Sequence, residues 1–199
     1  RYIRVSDLLG PLEKVDRAFR EDVLAGLSAP IPAVPARWLY DRRGSELFDE
    51  ITRLPQYYPT RTETALLRKI MPQVAARIPA GMAVVEFGAG SATKTPLLLE
   101  AIAPAAYAPV DISGDYLRES AAEVAERFPD VLVEPVVADF ARSFDLPSSI
   151  GSLAKLGFFP GSTIGNFVPR TATDLLRSWR ELLGVGCLLL IGRDRVKPV

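Results

Sequence analysis

The chain contains no histidine. That absence removes the commonest general base, the commonest zinc ligand and every Ser-His-Asp or Cys-His arrangement, so any chemistry rests on other groups and no metal site is expected. There is one cysteine. Cys187 sits in the apolar run Leu182–Ile191, excludes an intrachain disulfide framework and reads as a buried core thiol, since nothing cationic adjoins it to activate the sulfur. Long hydrophobic runs are also missing: none approaches the roughly 18 residues of a membrane helix, and no charged-then-apolar signal opens the chain. The cytoplasm is the expected location. The 24 basic and 24 acidic residues cancel, with no block of one sign, so the electrostatic footprint of a nucleic-acid binder is lacking and a small molecule or a protein is the expected partner. The first residue is Arg1 rather than Met, which suggests a processed or trimmed chain.

What is present is a chain of 199 residues, 48% hydrophobic, long enough for a sizeable core. Residues 12–27 place Leu12, Val15, Phe19, Val23, Leu24 and Leu27 at helical spacing, and Pro30, Pro32 and Pro35 end that helix. An aromatic-rich run, WLYDRRGSELFDEITRLPQYY, covers 38–58. Thr60-x-x-Glu63 then has the form of a capping box for a helix to about Arg77. Residues 1–80 therefore form a mainly helical lead-in. From 81 to 199 short apolar runs of strand length alternate with helical segments, the pattern of a parallel sheet with helices on both faces. Strands are predicted at 83–87, 107–110, 131–137, 155–159 and 187–191, and helices at 91–103, 114–128 and 169–183. The fold class is α/β, a doubly wound Rossmann-like sheet, whose ligand lies beyond the carboxyl ends of its strands.

The candidate site residues lie on that edge. The first strand runs into Glu86-Phe-Gly88-Ala-Gly90-Ser-Ala-Thr93-Lys94, where two glycines allow a tight turn and close approach of a ligand. A nicotinamide fingerprint wants a third glycine where Thr93 stands. Glu86, two residues before the first glycine, resembles the acidic-x-Gly-x-Gly motif of methyltransferases that bind S-adenosylmethionine. Asp111 ends the second strand at the distance where an acidic side chain meets ribose hydroxyls. Asp139 ends the third, suited to an adenine amino group, with Phe140 beside it to cover the base. Each carboxylate taken alone also fits a solvated turn; in this order they describe a nucleoside site. Lys94, in the first turn of a helix, runs against the dipole preference for acids and points to a local anion, either the cofactor carboxylate or Glu86, unless it is an exposed helix lysine.

Three segments carry a more specific resemblance: Tyr40-Asp41 through Gly44-Ser45, Leu47-Phe48-Asp49, Leu54-Pro55 and Tyr57-Tyr58-Pro59-Thr60-Arg61-Thr62-Glu63; the loop from Glu86 to Lys94; and Pro160-Gly161-Ser162-Thr163-Ile164-Gly165-Asn166-Phe167. Together they resemble the histidine-specific methyltransferases of ergothioneine biosynthesis, over almost the whole chain. The resemblance implies a class I methyltransferase fold and S-adenosylmethionine as cofactor. It places Gly88, Lys94, Asp111, Asp139 and Phe140 at cofactor-binding positions, with Glu86 and Gly90 in the same loop. It places Tyr57 and Asn166 on the amino-acid substrate, Phe48 on the pocket wall, Gly161 and Thr163 in the shaping of the last loop, and Tyr40 near the reacting amine as the candidate catalytic residue. Read by itself, that loop agrees: Gly161 and Gly165 permit a tight turn and Asn166 offers donors and an acceptor to a zwitterion, though a loop asparagine also bonds its own backbone.

The implied reaction is methylation of the α-amino group of L-histidine, three times to hercynine. An in-line displacement by a neutral amine needs alignment and exclusion of water more than it needs a strong base, so the lack of histidine is tolerable. Two departures stand out. The family continues beyond the fifth strand, so its last strands and the residues that grip the imidazole are not in this chain; and Arg195 stands where an apolar residue is expected. A same-family enzyme for another amino acid or amine, and a non-catalytic S-adenosylmethionine-binding module, stand as alternatives.

Overall fold

The computed structural model describes residues 16–195, and two compact units divide between Tyr40 and Asp41. In the first unit, helix α1 (Arg17–Leu27) is capped by Asp16, whose carboxylate accepts from the amides of Ala18 and Phe19. Of the helix expected over 12–27, residues 12–15, including Leu12 and Val15, lie outside the described residues. Asp22 on α1 accepts from Arg37 and, at 2.7 Å, from the indole of Trp38. Trp38 also meets Phe19 edge to face at 5.1 Å. Tyr40 follows as the C-cap of the 3-10 turn Ala36–Leu39.

The second unit opens with α2 (Arg42–Arg53), capped by Asp41, and α3 (Tyr58–Ala75). The capping-box reading of Thr60 and Glu63 is corrected here: α3 starts three residues earlier than such a box sets, at Tyr58, with Tyr57 as an N-cap whose side chain makes no capping bond. Proline just inside the start, Pro59, begins the helix because the N–H it lacks has no intrahelical partner there anyway.

The sheet follows the expected pattern. Its strands are β1 (Ala83–Phe87), β2 (Ala106–Asp111), β3 (Leu132–Val133), β4 (Val136–Val137), β5 (Lys155–Phe159) and β6 (Leu188–Ile191). They lie in the order β3-β2-β1-β5-β6, with β4 also on β2, and all pairs are parallel. The single strand expected over 131–137 is split, because Pro135 has no amide to give to the ladder. Side chains along β1 alternate between two cores. Val84 joins Leu67, Met71, Leu98, Leu99 and Val124 on the face covered by α3, by α4 (Thr95–Ile102) and by α5 (Gly114–Arg127). Ala83, Val85 and Phe87 join Leu175, Trp179 and Leu183 of α6 (Pro169–Leu183) on the other. Phe87 stacks on Trp179 at 3.9 Å, with the two rings nearly parallel. Helices on both faces of a parallel sheet make the fold a doubly wound α/β domain.

Helix α4 is shorter than the 91–103 expected. Gly88, Gly90 and Ala92 all have positive φ, so the chain keeps turning until Lys94 and the helix begins only at Thr95. At the other border, β6 pairs with β5 on one side, and Leu188 and Leu189 remain exposed. Cys187, expected to be buried, is half-buried for that reason: it enters the sheet at its outer strand.

Candidate active site

The loops after β1, β2, β4 and β5 meet at the carboxyl edge of the sheet, next to the switch between β1–β2 and β1–β5 pairing. The glycine turn is anchored from both sides. The amides of Gly88 and Ala89 donate to the carbonyl of Val110, at 2.8 and 3.2 Å, and the amide of Gly90 donates to Oδ2 of Asp111 at 3.0 Å. The other carboxylate oxygen of Asp111 receives the amide of Ser113. Each oxygen keeps a lone pair, so Asp111 has acceptor capacity for vicinal hydroxyls while holding the turn.

Glu86 is buried, only 2% exposed, and one of its oxygens accepts from both Thr95 Oγ1 (2.6 Å) and Tyr107 OH (2.7 Å). Burial pushes its carboxyl up to about 7 despite these two bonds. Burial beside the same carboxylate pushes the Tyr107 phenol well above its ordinary range. Glu86 is therefore built in beneath the glycine turn, tying β1 to β2 and to the start of α4 through protein hydroxyls.

Phe140 forms the wall beside Gly88. A Cβ on Gly88 would stand 3.2 Å from the Phe140 ring, and its φ of +71 disfavours any other residue. Phe140 meets Phe159, Phe167 and Trp179 edge to face, at 5.6, 6.5 and 6.1 Å, and its carbonyl accepts from the Trp179 indole at 3.1 Å. Asp139 accepts from the amide of Ala141 and lies 3.5 Å from the Arg142 guanidinium. Two carboxylates and an aromatic face on adjacent strand ends form a surface suited to a nucleoside.

Lys94 has a protein anion that the sequence pattern does not single out. Its ammonium pairs with Glu63 of α3, both side chains being mostly buried. The Glu63 carboxylate also accepts the amide of Gly161 with both oxygens, at 2.9 and 2.8 Å. It fits because position 192 is glycine: a Cβ there would overlap Oε1 of Glu63. The Gly161 loop continues through Ser162, at φ +59, into the 3-10 turn Thr163–Asn166. Thr163 Oγ1 donates to the Pro160 carbonyl at 3.4 Å, and Ser162 Oγ accepts the amide of Asp194 at 2.8 Å. Asn166 ends the turn, exposed.

Phe48 of α2 and Tyr57 meet edge to face at 6.0 Å. Their positions are set from below. Arg61 donates to the carbonyls of Leu54 and Pro55, at 2.7 and 2.5 Å, and so fixes the turn that leads into Tyr57. Tyr116 of α5 donates to Asp49 of α2; burial, then that carboxylate, pushes the phenol up to about 12. Arg42 and Glu119 add an exposed ion pair between the same helices. The structure thus brings Phe48 and Tyr57 together, and joins Gly88, Gly90 and Asp111 around one turn, with Lys94 and Gly161 on one carboxylate. Tyr40 belongs to the N-terminal unit.

Sequence reasoning does not identify Thr95, Tyr107, Glu63 in this role, Gly192, Arg61 or the Tyr116–Asp49 pair. A tyrosine inside the otherwise apolar strand at Tyr107 is a usable signal, since a buried hydroxyl demands an acceptor.

The family model of the S-adenosylmethionine-dependent histidine-specific methyltransferases matches residues 19–199. The chain is 39% identical to the histidine N-alpha-methyltransferase of Mycolicibacterium smegmatis over 184 residues, 90% of this chain and 56% of that protein. It is 29% identical to N-methyltransferase imqF of Aspergillus flavus over 189 residues, covering 91% and 51%. It therefore spans little more than half the length of these relatives. Among solved structures, magnesium protoporphyrin IX methyltransferase from Synechocystis with bound S-adenosylmethionine superposes with a TM-score of 0.54 at 13% identity, over 77% of this chain and 73% of that one. That likeness concerns the fold. A parallel sheet with its glycine turn and strand-end carboxylates, matched over almost its whole length by one family model, places the chain in the histidine-specific, S-adenosylmethionine-dependent methyltransferase family.

Proposed function

We infer that the chain is the cofactor-binding portion of an enzyme that methylates the α-amino nitrogen of L-histidine. The observation that carries this reading is the 39% identity to a histidine N-alpha-methyltransferase across 90% of the chain, and the geometry of the sheet edge supports it. S-adenosylmethionine would supply an electrophilic methyl group. The chain's own residues bind and orient. Asp111 accepts from ribose hydroxyls, Asp139 from the adenine amino group, and the Phe140 face covers the base. Lys94 has three N–H donors, so with one on Glu63 others remain for the carboxylate of the methionine moiety. Glu86 holds the turn of Gly88 and Gly90 from beneath.

Tyr57 and Asn166 are assigned to the amino acid, Phe48 to the pocket wall, and Gly161 and Thr163 to the loop that presents Asn166. Tyr40 is assigned to the neighbourhood of the reacting amine by resemblance. The amine has a pKa near about 8 and is partly neutral at physiological pH, so alignment and a hydrogen-bonding hydroxyl suffice in place of a strong base. Three rounds of transfer, giving hercynine, complete the proposal, with a cytoplasmic small-molecule role. Among the described residues no helix is long and apolar enough to cross a membrane.

A second reading, another amino acid or amine as acceptor, is favoured by the likeness to the 4-dimethylallyltryptophan N-methyltransferase easF of Claviceps purpurea, 25% identical over 172 residues. One experiment separates them: incubate the full-length gene product with S-adenosylmethionine and each proteinogenic amino acid, and read methylated products by mass spectrometry. Mass gains of three methyl groups on histidine alone are expected. Methylation of a different amino acid would transfer the assignment to the second reading, and binding of S-adenosylhomocysteine with no transfer would reduce the chain to a binding module.

A further inference from the structure

The Glu63 carboxylate stands where three segments converge. It comes from α3, pairs with Lys94 at the start of α4, receives the amide of Gly161 after β5, and occupies the space left by the missing Cβ of Gly192 after β6. The side chains of Lys94 and Glu63 are 13% and 15% exposed. A pair so far out of water interacts more strongly than a surface pair and tolerates loss of one partner poorly. Both Lys94 and the Gly161 loop belong to the machinery assigned above, one to the cofactor and one to the amino acid.

We propose that Glu63 is a positioning residue that sets Lys94 and the Gly161–Asn166 loop with one carboxylate, and so couples cofactor binding to amino-acid binding. The inference rests on the reading of Lys94 and that loop given under the proposed function. The physical reason is the sharing. Any displacement of the ammonium toward a bound carboxylate draws on the same oxygens that hold the Gly161 amide. A glutamine in place of Glu63 leaves one oxygen for both partners and no charge to hold the ammonium, because its amide nitrogen would present a donor to a donor.

The test uses the full-length protein and Glu63→Gln, with thermal melting to establish that the variant is folded. S-adenosylhomocysteine is titrated with and without saturating histidine, and exchange of the Gly161 amide is followed with and without S-adenosylhomocysteine. In the wild type, histidine should tighten S-adenosylhomocysteine binding about tenfold, within the usual range for coupled sites, and in Glu63→Gln the factor should fall below about two. S-adenosylhomocysteine should slow Gly161 exchange in the wild type and leave it unchanged in the variant. The histidine KM should rise with kcat changed much less.

A wild type without coupling, or a variant that keeps both the wild-type factor and the wild-type exchange, would overturn the proposal. Should Glu63→Gln fail to fold, Gly192→Ala displaces the carboxylate with its charge intact and is read in the same way. If the wild type does not methylate histidine, the reading of the substrate fails by itself, while the effect of S-adenosylhomocysteine on Gly161 exchange still decides the role of Glu63.

Discussion

The backbone amide of Gly90 donates to Oδ2 of Asp111 at 3.0 Å, so the carboxylate assigned to the ribose also holds the turn that the nucleoside approaches. Asp111→Ala removes both. With charge-assisted hydrogen bonds worth about 1.5–3 kcal/mol each, S-adenosylhomocysteine affinity should fall by at least about tenfold, read by calorimetric titration. Unchanged affinity would remove Asp111 from the ribose. Asp111→Asn should recover part of the loss, since it keeps one acceptor.

Asn166→Ala should act on the other ligand. Asn166 lies at the exposed end of the turn after Gly161, remote in the hydrogen-bond pattern from Asp111 and Glu86. The histidine KM is expected to rise about tenfold or more with S-adenosylhomocysteine affinity unchanged. Parallel losses for both ligands would contradict the assignment of the loop to the amino acid.

Gly88→Ala tests the contact with Phe140. The substitution puts a Cβ at 3.2 Å from the ring and on a backbone with φ of +71, a conformation costing about 1–2 kcal/mol for an L side chain. A lower melting temperature and weaker S-adenosylhomocysteine binding are expected together. Phe140→Leu in the same background should relieve the contact and leave the backbone cost.

Glu86 predicts a pH dependence of stability. Its carboxyl is raised from 4.5 to about 7 in the folded protein, so the folded state keeps a proton that the unfolded chain releases. The contribution is fully present below about pH 4.5, declines as pH rises toward 7 and is level above it. The rise corresponds to roughly 3 kcal/mol as an upper bound, at about 1.4 kcal/mol per pH unit. Glu86→Gln keeps an acceptor for Thr95 and Tyr107 without the charge. Thermal melts from pH 5 to 8 should therefore fall less steeply for the variant, and parallel curves would mean that Glu86 is ionised throughout.

Strand positions were legible because burial on both faces of a parallel sheet leaves continuous apolar runs: β1 and β5 fall on the residues expected, and the helix over 169–183 does too. The misreadings share a cause. Thr60-x-x-Glu63 has the local form of a capping box, yet the partners of Glu63 are Lys94, 31 positions away, and Gly161, 98 positions away. Distance in sequence also hid the anion of Lys94. The break at Pro135 and the late start of α4 at Thr95 are written in single residues, a missing amide in one case and a run of positive φ in the other, which a strand-length or helix-length pattern averages away. The spacing of Glu86 before the glycines marks it as important, but its burial among Thr95 and Tyr107 requires the register of β1 against β2.

The long span from Glu63 to Gly161 bears on the order in which the domain assembles. The contact between Gly90 and Asp111 closes 21 positions, within a single strand-helix-strand unit, whereas the Glu63–Gly161 contact closes 98. Loop closure becomes costlier with separation, and contacts of high sequence separation form late. The nucleoside side of the edge should thus be structured first, and the loop carrying Asn166 should be captured only after β5 has joined β1. During synthesis the same order is imposed by the ribosome: the glycine turn emerges and can close on Asp111 before the segment that Glu63 will hold has been made.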